Sequence, residues 1–512
     1  MATSLEYPVL PRQSTLSHLP PEYPLDAQDQ ISELLSTSPS LSRLVVLDDD
    51  PTGTQTCHDI TVLTVWDVPT LTEEFQQPSR GFFILTNSRA HPPLEAENLI
   101  RTICENVLEA AKLTGQTVDI VLRGDSTLRG HFPLEADVAQ SVFGPAQATI
   151  LAPFFFQGGR LTINDVHYVA EGDSLVPAGE TQFAQDATFG FKSSNLRDYV
   201  REKAPGRFTA DQIHSISIED IRTGGPSVVC ERLRRFPKGS VVIVNAAAES
   251  DMHVFVAGLL LGMSFPLLSH LPSDLPFTLT TPHHFNHHHH HHSKIPHLHP
   301  NTIHLPHRRS LRLHLARHPA PAPLPASHPS LSLPFPRQTG ALIIAGSYVP
   351  KTTAQLKYLT DKCGPTGTNT LCIIELQVED IIASAERVQE TIGLVVRDVE
   401  RELLDGRDVL VMTSRRLVRG EDELGSLRIG SRVAEALVGV VAGVQVRPRF
   451  VVAKGGITSS DAATKGLNIK RALVVGQAAP GVPLWRCDEA TARHPGVPFV
   501  VFPGNIKTLD NN

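Results

Sequence analysis

The feature that most constrains this chain is a repeated alternation of short β-rich runs with longer helical stretches. In the first half the β-rich runs lie at 44–47, 82–85, 118–122, 148–151 and 241–244. Helical stretches such as 93–113 separate them. This order is typical of a mainly parallel sheet that is covered by helices. It predicts one α/β domain over 43–268.

A second series of the same kind follows. Its β-rich runs lie at 342–345, 370–376, 408–413, 449–453 and 471–475, with helices predicted near 352–361, 378–403 and 427–441. We therefore predict a second α/β domain over 338–509 and an interdomain cleft between the two domains. Residues 1–42, which are rich in proline and serine, are predicted to form an N-terminal arm. Residues 269–337 form a low-complexity segment rich in histidine and proline.

Charge and cysteine content limit the classes of function. With 41% hydrophobic residues, 19% charged residues and a formal net charge of −7, the chain is typical of a globular protein and not of a nucleic-acid binder with a basic surface. The six cysteines form no CxxC pair, which favours a reducing compartment. The N-terminal residues lack a secretory signal, and the longest apolar run, 254–268, is shorter than the about 20 residues that span a bilayer. We expect a cytoplasmic protein without nucleic-acid or membrane partners.

The first motif that can carry chemistry follows a predicted strand. Asp48-Asp49-Asp50-Pro51-Thr52-Gly53-Thr54 comes directly after the apolar residues 45–47. Ligands bind at the carboxyl ends of strands in α/β sheets. Three adjacent carboxylates repel one another unless a cation, a polyol or backbone donors share the site. The motif predicts a polar ligand site, and an Asx turn or a helix cap is the structural alternative.

The same residues allow a second enzymatic interpretation. Asp48-x-Asp50-Pro51-Thr52 satisfies the DxDxT pattern of haloacid-dehalogenase-like phosphotransferases, in which the first Asp is a nucleophile and the second a general acid/base. That chemistry also needs a downstream Lys and an acidic metal-binding pair. The sequence contains no later Asp-Asp pair at the end of a predicted strand. A phosphatase that uses Asp48 is therefore a competing hypothesis.

A second polar motif follows the apolar run at 118–122. Arg123-Gly124-Asp125-Ser126-Thr127-Leu128-Arg129 contains one Asp, two hydroxyls and two Arg. Arg can pair bidentately with a carboxylate, whereas Asp accepts hydrogen bonds from alcohols. The motif predicts a compact site for a small hydroxylated anion, with a salt-bridged turn as the structural alternative.

Glycine-bearing loops follow three β-rich runs of the second half. They are Ala345-Gly346-Ser347-Tyr348, Lys454-Gly455-Gly456-Ile457-Thr458 and Phe502-Pro503-Gly504. Backbone N–H groups at such turns attract phosphate. The pattern GxxxxGK[ST] is absent, so these loops do not form a Walker site.

Together these motifs resemble the four-carbon acid sugar kinase family, whose members phosphorylate 3-oxo-tetronate, threonate or erythronate with ATP. The resemblance covers about 43–262 and 338–509. The motifs that carry it, in order, are Asp48-Asp49-Asp50-Pro51-Thr52-Gly53, Arg123-Gly124-Asp125-Ser126-Thr127-Leu128-Arg129-Gly130, Gly158-Gly159-Arg160 with Thr162, Gly346-Ser347, Gly455-Gly456-Ile457-Thr458, 476–483 and Gly504-Asn505.

The resemblance implies that the first domain binds the sugar acid and the second binds ATP. The implied substrate contacts are Asp48, Asp49, Asp50, Thr52, Asp125, Ser126 and Arg129. The implied nucleotide contacts are Ser347, Gly455, Gly456, Ile457, Thr458 and Gly504. The catalytic base is expected to be Asp125 or one of the three carboxylates Asp48, Asp49 and Asp50, with Asp125 and Asp48 named as the catalytic candidates.

The expected cofactors are ATP and Mg²⁺, and no residue is assigned as a protein ligand of a metal. The oligomeric state stays open between a monomer and a homo-oligomer. Besides the phosphatase, a non-catalytic protein that binds a sugar acid or a nucleotide remains a competing hypothesis.

The segment 269–337 departs from the family. It holds 16 of the 24 histidines, and the family's aromatic-Arg-Thr-Ala-Ala motif is missing from it. A back-translation of 304–314, shifted by one nucleotide, reads Ile-Tyr-Arg-Thr-Ala-Ala-Pro-Phe-Val-Ser. We therefore hypothesise that about 263–330 is an unspliced or out-of-frame translation.

Overall fold

The computed structural model describes residues 7–37, 42–264, 339–346, 350–414 and 423–504. The histidine- and proline-rich segment, and most of the stretch for which we suggest an out-of-frame translation, lie outside these residues. In chain order the strands are β1 (Leu10–Pro11), β2 (Arg43–Asp48), β3 (Ile60–Leu63), β4 (Gly81–Leu85), β5 (Val118–Arg123), β6 (Ala148–Leu151), β7 (Arg160–Ile163), β8 (Val166–Glu171), β9 (Ser174–Pro177), β10 (Ile213–Ile216), β11 (Ser240–Val244), β12 (Leu342–Ala345), β13 (Leu371–Leu376), β14 (Asp408–Thr413), β15 (Val451–Lys454), β16 (Arg471–Ala479), β17 (Val482–Arg486) and β18 (Pro498–Phe502).

The helices alternate with these strands. They are α1 (Arg12–Ser17), α2 (Ala27–Thr37), α3 (Val68–Phe75), α4 (Pro93–Thr114), α5 (Leu134–Phe143), α6 (Leu196–Lys203), α7 (Ile218–Arg222), α8 (Gly225–Arg235), α9 (Glu249–Ser264), α10 (Pro350–Cys363), α11 (Val378–Ala383), α12 (Ala385–Leu404), α13 (Glu423–Gly443) and α14 (Gly456–Asp461). None of them is long and apolar enough to cross a bilayer, as far as the described residues extend.

A single sheet joins the two halves of the chain. Its strand order is β13-β14-β12-β15-β18-β17-β16-β3-β4-β2-β5. Strands β2, β4 and β5 pair in parallel in the first half, and β12 to β15 pair in parallel in the second. The halves meet where Arg471–Val474 of β16 pairs antiparallel with β3. The predicted fold class, two α/β domains with mainly parallel sheets, is confirmed, with the addition that the domains share one sheet.

The twist of this sheet explains how loops from both halves meet. Pairing alone directs the parallel strands of the two halves in opposite senses, because three successive antiparallel pairs, β18–β17, β17–β16 and β16–β3, separate them. Neighbouring strands twist by about 20–25°, so the six strand pairs from β15 to β2 accumulate a rotation of roughly 120–150°. Such a rotation brings the carboxyl ends of β15 and β2 back to the same side.

The parallel strands β2, β4 and β5 are buried on both faces, which is why each is mainly a continuous apolar run in the sequence. In β2 the residues Leu44 and Val46 face one hydrophobic cluster, while Val45 and Leu47 face another. Two smaller sheets complete this half. One is parallel, in the order β10-β11-β6, and the other is antiparallel, in the order β1-β9-β8-β7.

The predicted N-terminal arm packs against the first half. Strand β1 pairs with β9, and helix α2 contacts α9. Ile31 of α2 is buried in the largest hydrophobic cluster. Arg222 donates a hydrogen bond to the carbonyl of Pro20 at 2.7 Å and also forms a bidentate ion pair with the buried Asp251. These contacts hold residues of the arm against α7 and α9.

Substitution of a buried tryptophan tests how much the junction between the halves contributes to stability. Trp485 on β17 is buried and donates a hydrogen bond from Nε1 to Oγ1 of the buried Thr54 at 2.9 Å. Trp485→Phe should lower the free energy of unfolding by about 1–3 kcal/mol, because it leaves the Thr54 hydroxyl unsatisfied in the interior. Chemical denaturation measures the change. The matched control is Trp66→Phe at the other tryptophan, and equal losses in both variants would contradict the prediction.

Candidate functional site

The site is built where three neighbouring parallel strands of the first half end. Strand β2 ends at Asp48, β5 ends at Arg123, and β4 is followed by a short 3-10 helix, Ser88–Ala90. Asp48 is paired in register with Arg123 on β5. Polar side chains from all three strand ends therefore meet at one edge of the sheet.

Arg123 neutralises the first two carboxylates of the acidic motif. It is buried, and its Nη1 lies 3.1 Å from Oδ1 of Asp48 and 3.2 Å from Oδ1 of Asp49. The same nitrogen donates to the carbonyl of Asp50 at 3.3 Å. Burial acts to lower the pKa of Arg123, but the surrounding carboxylates outweigh burial and raise it. Arg123 was expected to help bind an anion, but it serves to hold the acidic turn.

Arg89 is the centre of the cluster, and the sequence analysis did not single it out. Its Nη2 pairs with Oδ2 of Asp50, while its Nη1 lies 3.7 Å from Asp49 and 3.8 Å from Asp125. The carboxylates raise its pKa despite burial. A signal was available, because Arg89 follows closely on the predicted strand at 82–85.

The pKa values of two adjacent carboxylates of the cluster, Asp49 and Asp50, are shifted in opposite directions. Burial raises the pKa of Asp49, and Arg89 and Arg123 offset only part of that effect. Burial acts in the same sense on Asp50, but the two arginines and the hydrogen bonds from Thr52 outweigh it and lower the pKa of Asp50. Asp50 also caps the 3-10 helix Pro51–Thr54 by accepting from the Thr52 amide at 2.8 Å. Asp50 is thus the more firmly ionised of the pair.

Asp125 lies in the loop after β5 and holds Arg129. Nε and Nη2 of Arg129 lie 2.7 Å and 2.6 Å from its Oδ2. Asp125 also accepts hydrogen bonds from the amide and hydroxyl of Thr127. The carbonyl of Ser126 is held by Nε2 of His167 at 2.8 Å, and burial lowers the pKa of this histidine to about 4. The neutral imidazole therefore fixes the loop that carries Asp125.

Behind the cluster lies a cavity of about 20 Å³, enough for about one water molecule. Asp49, His131 and Glu135 are among the residues that line it. Glu135 on α5 accepts a hydrogen bond from the Ser88 hydroxyl, next to Arg89. Burial raises the pKa of Glu135 to about 7, and the charge of Asp49 acts in the same direction.

The second half contributes a glycine turn after β15. Gly455 has φ +103°, a conformation that favours glycine, and its amide donates to the carbonyl of Phe502 on β18 at 2.9 Å. Gly456 begins α14, and Ser459 of this helix donates from Oγ to the carbonyl of Ala453 at 2.7 Å. Lys454, at the end of β15, is buried with its Nζ 4.6 Å from the centroid of the Phe502 ring. The sequence analysis quoted Lys454 but gave it no role.

The glycine turn touches the acidic motif. A Cβ on Gly456 would lie 2.1 Å from Oδ2 of Asp50, so only glycine fits against this carboxylate. Within the motif, a Cβ on Gly53 would lie 1.6 Å from Oδ2 of Asp48. Both glycines are therefore required by the close packing of the cluster.

The predicted site residues separate into three groups. The first group meets in the cluster or in the loops that form it: Asp48, Asp49, Asp50, Thr52, Asp125, Ser126 and Arg129. The second group lies in the second half beside this cluster or at the end of β18: Gly455, Gly456, Ile457, Thr458 and Gly504. Ile457 is exposed. Ser347 lies outside the described residues.

The acidic residues do not form a metal site of their own. No group of three or more His, Cys, Asp or Glu side chains in the described ranges has a geometry that could hold a metal ion. The reason lies in the ion pairs, because Arg89 and Arg123 already neutralise the carboxylates of the motif. The residues present therefore do not fit a protein-held Mg²⁺.

Comparisons with known proteins agree with this division into two functional halves. Residues 44–270 match a family described as a sugar-binding N-terminal domain, and residues 342–506 match one described as a nucleotide-binding C-terminal domain. Together these matches cover more than half of the chain. The chain belongs to the four-carbon acid sugar kinase family. The resemblance found in the sequence is thus confirmed.

Individual relatives are distant. The chain is 25% identical over 230 residues to a D-erythronate kinase of Heliobacterium modesticaldum, a match that covers 43% of this chain and 48% of the relative. It thus spans about half the length of the curated relative it matches. A solved protein of Salmonella typhimurium LT2 has a TM-score of 0.61 at 15% identity, covering 91% of this chain and 96% of that chain. Haemophilus influenzae protein HI1011 has a TM-score of 0.52 at 15% identity, with 90% and 96% covered. These structures share the fold.

The close approach of Gly456 to Asp50 gives a stability test. Gly456→Ala should lower the free energy of unfolding by about 1–3 kcal/mol, because the new methyl group overlaps a buried carboxylate held by Arg89. The control is Gly393→Ala on α12, where a Cβ meets nothing within 4 Å. Denaturant unfolding of both variants provides the measurement. A Gly456 variant as stable as the control would disprove the contact.

The partly buried Glu135 predicts that the stability of the protein depends on pH. Because its folded-state pKa of about 7 lies above the ordinary value of 4.5, the protonated form contributes stability that is present below about pH 4.5 and lost as the pH rises through 7. Glu135→Gln removes this dependence. The stability of the variant relative to wild type should therefore rise by about 1–3 kcal/mol between about pH 5 and pH 8. Urea unfolding at both pH values tests this, with Glu180→Gln at an exposed glutamate as control. Parallel stability profiles of wild type and Glu135→Gln would contradict it.

Proposed function

We propose that the chain is an ATP-dependent kinase that phosphorylates a hydroxyl group of a four-carbon sugar acid. The observation that carries the proposal is the contact between Gly456 and the carboxylate of Asp50. Through it, the glycine turn of the nucleotide-binding half adjoins the carboxylate–guanidinium cluster of the sugar-binding half. Phosphoryl transfer requires that donor and acceptor meet in this way, because catalysis rests mainly on positioning and charge neutralisation.

The cluster suits a polyhydroxylated acid. Carboxylates accept hydrogen bonds from hydroxyl groups, and guanidinium groups pair with a carboxylate. Asp50 and Asp125 offer acceptors, while Arg129 has 27% of its side chain exposed and is thus reachable by a ligand. Thr52 and Ser126 belong to the same two loops and are further substrate contacts in this proposal. The D-erythronate kinase relative supports a substrate of this class.

We assign the role of general base to Asp125 and a positioning role to Asp48. Asp48 is enclosed by the Arg123 ion pair and by Gly53, which leaves no space for a substrate hydroxyl beside it. Asp125 lies on the loop that also carries Arg129. In the step proposed, the hydroxyl oxygen attacks the γ-phosphorus of ATP and its proton passes to Asp125. The bond between the γ-phosphorus and the β,γ-bridging oxygen breaks, and ADP leaves.

In the second half, the proposal assigns the ATP phosphates to the turn at Gly455, Gly456, Ile457 and Thr458. The buried ammonium of Lys454 adds positive charge at the start of this turn. Gly504, just after the end of the neighbouring strand β18, and Ser347, which lies outside the described residues, complete the proposed nucleotide contacts. Mg²⁺ accompanies the nucleotide and is bound by its phosphates.

Two alternatives receive less support. A phosphatase of the haloacid dehalogenase type needs Asp48 as a free nucleophile, whereas the Asp48 carboxylate is paired with Arg123 and packed against Gly53. A protein that only binds its ligands has no need for the glycine turn to touch the acidic motif. Phosphate release without nucleotide would favour the phosphatase, and binding without turnover would favour the binding protein.

The test is an assay of ADP formation with ATP, Mg²⁺ and a panel of four-carbon sugar acids. Asp125→Asn should lower turnover by about 10²- to 10⁴-fold, because an amide cannot accept the hydroxyl proton. ATP affinity should stay within about twofold of wild type, since the proposed nucleotide contacts lie in the other half. The matched control is Asp137→Asn, which removes a carboxylate that pairs with Arg207 outside the cluster. Retained turnover in Asp125→Asn would remove Asp125 from the catalytic role.

A further inference from the structure

Arg160 is a buried cation of the sugar-binding half that the site described so far does not use. It begins β7, has 8% of its surface exposed, and its Nη1 donates to the carbonyl of Gly158. Its Nε is buried without a hydrogen-bond partner among the described residues. No carboxylate of the described chain lies within ion-pair distance of it, whereas Arg89, Arg123 and Arg129 all have such partners. A buried guanidinium without an anion is costly, which points to a ligand.

The position of Arg160 directs it toward the substrate cluster. Its guanidinium carbon lies 5.7 Å from the centroid of the Phe183 ring, and that of Arg129 lies 5.1 Å from the same ring. A second contact at 5.7 Å, to the Phe155 ring, further orients Arg160. Phe183 thus serves as a shared platform for two guanidinium groups, an arrangement that fixes their planes without neutralising them.

The negative charge of Asp125 acts on both arginines. Arg129 binds Asp125 directly, and Arg129 also lies 3.6 Å from Asp186. Arg160 is close enough to both Asp125 and Arg129 for their charges to act on it, and burial lowers its pKa. Arg129 thus has two carboxylate neighbours, and the Asp125 carboxylate already accepts hydrogen bonds from Thr127 and Arg129. Because no carboxylate of the described residues lies within ion-pair distance of Arg160 and its Nε has no hydrogen-bond partner among them, its guanidinium can pair with one more carboxylate.

We propose that Arg160 and Arg129 form a clamp for the carboxylate group of the sugar acid and so determine its specificity for acids over neutral polyols. The inference rests on the proposed function and adds to it a residue and an orientation. The carboxylate end of the substrate lies at Arg160, and the hydroxyl chain extends past Asp125 toward Asp50 and the glycine turn. The hydroxyl far from the carboxylate is then the one nearest the nucleotide.

The clamp also explains how Asp125 becomes free to act as a base. In the structure two nitrogens of Arg129 bind Oδ2 of Asp125. A substrate carboxylate offers Arg129 an alternative partner of the same charge. When Arg129 pairs with the substrate carboxylate instead of Asp125, Oδ2 of Asp125 becomes available to accept a hydrogen bond from a substrate hydroxyl. The carboxylate of the substrate thus makes the proposed base available.

The experiment measures binding of D-erythronate and of erythritol, its neutral four-carbon analogue, to the full chain by calorimetry without nucleotide. Arg160→Met should weaken erythronate binding by about 10- to 100-fold, as expected for loss of a charged hydrogen-bonded pair. Erythritol binding should change by less than about twofold, because its hydroxyls use the carboxylates. Arg160→Lys should lose less affinity for erythronate than Arg160→Met, because lysine keeps the positive charge. It should still lose some affinity, because it lacks the planar guanidinium that donates two parallel hydrogen bonds.

The matched control is Arg207→Met, since Arg207 also stacks on a phenylalanine, Phe208, at 4.9 Å but lies at the surface of the same half. Wild-type affinity for erythronate in Arg160→Met overturns the clamp, and so does a wild type that binds erythritol as tightly as erythronate. If Arg160→Met does not fold, Arg160→Lys decides, and unchanged affinity for erythronate in that variant overturns the proposal.

Binding without nucleotide separates this inference from the kinase itself. A wild type that binds erythronate through Arg160 but transfers no phosphate refutes the proposed function and leaves the clamp standing. A chain that phosphorylates a sugar acid while Arg160→Met binds it normally refutes the clamp and leaves the kinase standing.

Discussion

The rest of the site depends on the neutralisation of buried carboxylates by buried arginines. Asp48, Asp49 and Asp50 follow one another directly at the end of β2, where their mutual repulsion opposes folding. Arg123 from β5 and Arg89 from the turn after β4 neutralise them, so three neighbouring strands must end at the same edge. The ion pairs therefore do more than stabilise a loop. They fix where the three strands end relative to one another. They also determine which carboxylates remain available to a ligand.

Two glycines are as important as the charged side chains at the junction of the two halves. Gly53 and Gly456 lie so close to the carboxylates of Asp48 and Asp50 that no other residue fits. The approach at Gly456 joins two loops that are separated in the sheet by the six strand pairs from β15 to β2. The twist of the shared sheet provides the rotation, and the buried hydrogen bond from Trp485 to Thr54 fixes the acidic turn against β17. The shared sheet thus determines how the glycine turn of the second half lies against the acidic motif of the first half.

Local sequence patterns predicted the parallel strands and the polar loops that follow them, because a strand buried on both faces is a continuous apolar run and its carboxyl end is where polar residues gather. Strand β2 with Asp48, and β5 with the loop of Asp125, were both found in this way. The joint between β16 and β3 was not predictable, since antiparallel pairing between residues far apart in sequence leaves no periodic signal. Arg89 was missed, and Arg160 was quoted within a motif but given no role, because each is distant in sequence from the carboxylates near which it lies.

The balance of charge within the cluster also argues for the direction in which a substrate lies. At one end, three carboxylates share Arg89 and Arg123. At the other, Arg129 pairs with Asp125 and Asp186, while Arg160 has no carboxylate within ion-pair distance among the described residues. A sugar acid has the complementary polarity, with its carboxylate at one end and hydroxyl donors along the rest. In the orientation proposed, its carboxylate lies on the arginines and its last hydroxyl lies beside the glycine turn that we propose binds the phosphates. Reversed, it would place a carboxylate against Asp50, which the two arginines keep ionised, and the repulsion would oppose binding.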